Sequence, residues 1–304
     1  MRRTLAPVFA SCALLLAAPA HAEPTHQALE AYALYQNDVS VLAALEVENA
    51  RTINGALARV GRHDPERVSR GWIAYGALTA AQSPDFAAGI ERRARAAGRE
   101  DFIRTLQRDI TYARGQAGSG RAIQLILNAA NADSARAAAA GARYNHIART
   151  SNAAWITSSD RRTERLRADA RLTPAMMERL SIGARDANPA RNADEFGGRR
   201  FWDSLTGREG NTPRARSWRE QREYTDVTNR MLTLAALVVL DAAGDQRAYT
   251  AALLDEPLTE QCLTMERLQL RQCLSVSVDA SERTYCLGRH GLTGPGACFS
   301  AMAR

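Results

Sequence analysis

The chain has 304 residues, 45% of them hydrophobic and 6% aromatic, and a formal charge of +7. All 40 Lys+Arg residues are arginine. No lysine is present to cradle a nucleotide phosphate, form a Schiff base or serve a Ser-Lys dyad, so several large enzyme classes fall away. Alanine is abundant and alternating runs of Val, Ile and Thr are nearly absent, which points to helices and leaves little case for a sheet.

Residues 1–22 read as a secretory signal peptide. Arg2 and Arg3 form the positive start, an apolar run from Val8 to Ala18 the core, and Ala20-His21-Ala22 a small-x-small cleavage site. The run falls short of the roughly 20 apolar residues that span a bilayer, so no transmembrane anchor is expected after cleavage. Cys12 precedes most of the run, which argues against a lipoprotein cleavage box there. Loss of the leader leaves about 280 residues and a charge of about +5. That length suits one large helical domain or two packed helical halves. The expected location is periplasmic or secreted, where thiols oxidise. Anionic partners there are cell wall, lipid headgroups or polysaccharide, and export makes nucleic acid a poor candidate.

Residues 23–157 form an N-terminal helical region. Asp64-Pro65-Glu66 is a helix start: a capping carboxylate, proline at the first helical position and an acid in the first turn. Val68, Trp72, Tyr75 and Thr79 then recur at helical spacing. Ser83-Pro84-Asp85 repeats the start signal and Gly98 is a stop. Phe102, Leu106 and Ile110 stripe the next helix, which ends near Gly115. The turn Gly118-Ser119-Gly120 leads into Ile123–Leu127, and the alanines from Ala137 to Ala140 continue in helical register toward His146. Short links between these helices imply antiparallel neighbours.

Residues 158–217 change character. They hold Pro174, Pro189 and Pro213, the pair Gly197-Gly198, and crowded arginines, and read as an Arg/Gly/Pro-rich loop region. Residues 218–304 return to helix. Met231 to Leu240 is apolar almost all round, the mark of a buried helix.

This last region carries Cys262, Cys273, Cys286 and Cys298, an even number that implies two disulfides. Leu258 to Leu274 reads as one helix. Eleven residues at 1.5 Å each separate Cys262 from Cys273 by roughly 16 Å. A disulfide tolerates about 7 Å between α-carbons, so these two cannot pair. An antiparallel return after a turn near Asp279 gives nested bridges, Cys273 with Cys286 and Cys262 with Cys298. The stretch from Gly288 to Gly296 reads as a loop fastened by them. A metal site of these thiolates with His290 is the rival reading, disfavoured by the absence of a C-x-x-C pair.

No local motif names a catalytic residue. There is no H-E-x-x-H and no G-x-S-x-G, and Gly115 to Gly120 follows a helix and lacks the lysine of a phosphate loop. His63 reads as an exposed loop residue ahead of the Asp64 cap, and His146 as a packed or surface residue. The segment from Phe196 to Asp203 is the most suggestive. Gly197 and Gly198 free backbone amides, Arg199 and Arg200 offer forked donors, and Trp202 adds an aromatic face, together able to grip a carboxylate, phosphate or sugar ring.

The expectation is an all-α fold: a compact multi-helix bundle or array with a disulfide-stapled C-terminal helical hairpin. No cofactor or metal is called for. The sequence favours a non-catalytic exported protein that binds or scaffolds an anionic envelope component, or another envelope protein, through Arg199, Arg200 and Trp202. The alternative is a hydrolase or lyase acting on cell wall or polysaccharide through an Asp or Glu acid-base residue.

Overall fold

The computed structural model describes residues 24–150 and 219–303. Among them the chain is helical throughout, with one isolated antiparallel bridge, Glu220 to Ala303, in place of any strand.

Local chemistry sets the helix starts. The first helix, α1, spans Pro24–Ala44. Asn49 caps α2 (Ala50–Gly61), accepting from the amides of Arg51 and Thr52. Asp64 caps α3 (Pro65–Ala81) by accepting from the Arg67 amide at 3.2 Å. Pro65 sits in the first turn, where no amide is needed. Helix α4 (Pro84–Ala97) gives way at Gly98, whose φ of 86° lies in the left-handed region. The same glycine precedes α5 (Arg99–Arg108). Ile110 falls in a turn beyond α5, and a short 3₁₀ helix, Tyr112–Gly115, completes the link. The long α6 then runs from Ser119–Thr150 as one helix.

After the bridge at Glu220 come α7 (Thr225–Val239), α8 (Arg247–Leu254) and α9 (Pro257–Val276). Glu256 is buried and caps α9, accepting from the Leu258 and Thr259 amides at 2.8 and 2.7 Å. A turn capped by Asp279 starts α10 (Ala280–Cys286). This continues through a π-helical stretch, Leu287–Thr293, into α11 (Gly294–Ser300). The segment from Gly288 to Gly296 is therefore helical, not the loop its glycines and proline suggest. Tertiary packing overrides propensity here. A Cβ on Gly288 would meet the Gly141 carbonyl of α6 at 2.7 Å, so glycine lets the two helices close together. Pro295 falls in the first turn of α11, where it is tolerated.

The core lies where α1, α3, α6 and α7 pack on one another. Val68, Trp72, Tyr75 and Thr79 all face it. Tyr32, Trp72, Tyr75 and Phe299 bring α1, α3 and α11 together with ring centroids 5.1 to 5.9 Å apart. Nearly all of α7 is buried, from Val227 to Leu237. Two nested bridges staple α9 to the returning helices: Cys262 to Cys298 and Cys273 to Cys286, each with α-carbons 5.7 Å apart. No helix among the described residues is long and apolar enough to cross a membrane.

Candidate functional site

Arg199, Arg200 and Trp202 lie outside the described residues. The site that the described residues form was not singled out by sequence. It is a small cleft, partly open to solvent, between the α2–α3 corner and the stapled hairpin.

Behind one wall lies Asp38, on α1 and 1% exposed. Four donors surround its carboxylate. Arg59 Nη1 reaches Oδ1 at 2.7 Å, Arg62 bonds both oxygens at 2.7 and 2.5 Å, and His63 Nε2 lies 2.6 Å from Oδ2. Burial alone would raise the Asp38 carboxyl. The hydrogen bond and charge of His63, with the two guanidiniums, outweigh it and hold the group below the ordinary carboxylate range. The same burial pushes His63 down, and Arg62 and Arg59 push with it against the pull of Asp38. The imidazole is thus neutral near pH 7. It donates from Nε2 to Asp38 and keeps its lone pair on Nδ1. Its side chain is 9% exposed, so His63 is a buried wall residue and not the exposed loop histidine its place in the sequence suggests. The reason is long-range. Asp38 lies 25 residues upstream, and only the packing of α1 brings the two together.

Tyr35, one turn before Asp38, stands edge-on to the His63 ring at 5.5 Å. It lines the cleft and is 5% exposed, and its hydroxyl is buried with no hydrogen-bond partner among the described residues. Burial, and then the charge of Asp133, push the phenol well up, so it stays a neutral donor.

The opposite wall is one face of α9. Leu263, Arg267, Leu270 and Arg271 fall at i, i+4, i+7 and i+8. Arg267 reaches the His63 carbonyl at 3.4 Å and stands 3.6 Å from Asp64. Arg271 makes no ion pair among the described residues. The Nε atoms of both arginines are buried without a partner. Burial and the charge of Arg271 push the Arg267 guanidinium down, and Asp64 pulls it back. His290, on the π-helical stretch, places Nδ1 3.1 Å from Glu266. Gly294 makes this possible, since a Cβ there would sit 2.0 Å from Glu266 Oε2. π-Helical turns are rare and concentrate at functional sites.

Val60, Pro65, Val68 and Pro295 complete an apolar lining. No Asp or Glu lines the cleft among the described residues. Its polar contribution is two arginines, two histidines and a phenol.

No family model, curated protein or solved structure matches the chain.

Two other polar clusters brace the fold. Tyr32 donates to Asp133 at 2.5 Å and receives Gln36 at 2.8 Å, with Arg136 bonded to the same carboxylate, across the α1–α6 interface. Arg114 grips Glu220 with two parallel bonds at 2.8 and 2.9 Å and also reaches Asn229. It ties the chain at Glu220 to α7. Both clusters are internally satisfied and neither opens on the cleft.

The four cysteine sulfurs are engaged in disulfides, so they are not thiolate ligands for a metal with His290. His146 is exposed near the end of α6.

Proposed function

We propose that this is an exported binding protein that takes an anionic group of an envelope component in the cleft beside Arg267 and Arg271. One observation carries the reading. Two like-charged guanidiniums stand one turn apart in a cleft with no carboxylate among its described lining residues, their Nε donors buried and without a partner among the described residues, and only Arg267 has an acid, Asp64, nearby. Like charges at this spacing repel by about 0.2–0.5 kcal/mol. Each buried, unpaired donor costs about 1–3 kcal/mol. An oxyanion bridging the two guanidiniums relieves the repulsion between them.

The same features weigh against the hydrolase or lyase alternative. Asp38 is saturated by four donors and held ionised, so it is poorly placed to pass a proton. The leader expected at residues 1–22 and the two disulfides, which suit an extracytoplasmic compartment, support the exported location in this reading.

The test is calorimetric titration of the mature, oxidised protein with acetate and inorganic phosphate at low salt. The Arg267→Gln/Arg271→Gln variant runs beside it. The expected result is saturable binding that the double variant loses at least tenfold. Equal binding by both proteins refutes the assignment.

A further inference from the structure

The lining of the cleft is ordered along its length. The nested bridges fix the register of α9 against the returning helices, so Cys262 faces Cys298 at one end and Cys273 faces Cys286 at the other. Leu263 and Pro295 both lie near the Cys262–Cys298 end. Arg271 and His290 lie toward the Cys273–Cys286 end, with Arg267 between. Val60, Val68 and Leu270 add apolar lining, Leu270 next to Arg271 and Val60 beside Gly291. A small hydrophilic anion would satisfy the arginines and leave that apolar lining uncovered.

From this mixed basic and apolar lining we infer that the ligand is an amphiphilic acid: one oxyanion head, carboxylate or phosphate, on an apolar body of medium length. The head lies at Arg267 and Arg271. The body runs toward Leu263 and Pro295. The eight steps from Leu263 to Arg271 span roughly 12 Å at 1.5 Å per residue. This suits a chain of medium length and leaves a long acyl chain projecting into solvent. The inference rests on the anion-binding reading and narrows it to a ligand class.

The test uses hexanoate, octanoate, decanoate and decyl phosphate, each below its micellar concentration, against the mature oxidised protein. Acetate, inorganic phosphate, decanol and decyltrimethylammonium are the comparators. Each buried methylene should tighten binding about fourfold, the equivalent of ~0.8 kcal/mol. Decanoate or decyl phosphate should therefore bind at least tenfold more tightly than acetate, phosphate or decanol, and the tighter of the two identifies the head. Arg271→Gln should remove most of the advantage over decanol while leaving the circular dichroism spectrum unchanged. If acetate and phosphate bind as tightly as decanoate, the anion site stands and the amphiphile is refuted. If decanol or decyltrimethylammonium binds as tightly as decanoate, the head assignment fails, and the anion reading with it. If none binds, both fail.

Discussion

Removing the outer disulfide by Cys262→Ala with Cys298→Ala should destabilise the protein more than removing the inner one by Cys273→Ala with Cys286→Ala. The bridged residues are 36 apart in the outer pair and 13 apart in the inner. Loop-closure entropy then assigns the outer bridge about 3.8 kcal/mol and the inner about 3.0 kcal/mol at 25 °C. For a chain this long, 1 kcal/mol moves Tm by about 2–4 °C, so the outer variant should melt about 8–15 °C lower. Alanine is chosen because Cys286 and Cys298 are both buried, and a hydroxyl there would add a desolvation cost. Urea unfolding followed by circular dichroism gives the comparison. Removal of either link should also raise the m-value, since the unfolded chain expands. A loss below 1 kcal/mol for the outer variant, or a larger loss for the inner one, would refute the reasoning that the links act by restricting the unfolded chain.

Acidification should destabilise the fold, through His63 first. Its folded pKa lies below the ordinary value of about 6.5, so the unfolded chain takes the proton more readily. Stability is therefore full above that pH and falls as pH drops through it. Asp38, also held low, adds loss of the same sign below about pH 4. Melting of wild type and His63→Gln between pH 7.5 and 5.5 checks this, and identical slopes would sink the role given to His63. Gly141→Ala should cost about 1–3 kcal/mol by overpacking. Its Cβ would stand 2.1 Å from Thr293 Oγ1 and 2.5 Å from the Gly288 carbonyl. An unchanged urea midpoint would mean that α6 and the π-helical stretch have room to part.

Much of the fold was legible because its signals are local. Asp64-Pro65-Glu66 carries its own cap, and the spacing from Val68 to Thr79 shows which face of α3 turns inward. The cysteine pairing followed from helix rise set against the reach of a disulfide. The cleft was not legible in the same way, because its parts come from four separate stretches of chain. Nothing near His63 announces Asp38, and nothing near Gly288 announces Gly141. One faint local signal did exist. Neither Arg267 nor Arg271 has an acid three or four residues away on its own helix. Among 40 basic residues that is easily passed over.

The placement of the disulfides also settles how the cleft can open. Residues 263–271 of one wall lie between two half-cystines, and residues 290–295 of the facing wall lie between their two partners. Those walls form a closed covalent ring and cannot part without breaking a bond. The corner that carries His63 and Pro65 has only non-covalent contacts with α9, among them Arg267 with Asp64 and the His63 carbonyl. Any widening of the cleft therefore falls to that corner, against the bonds by which Arg59, Arg62 and His63 anchor it to Asp38.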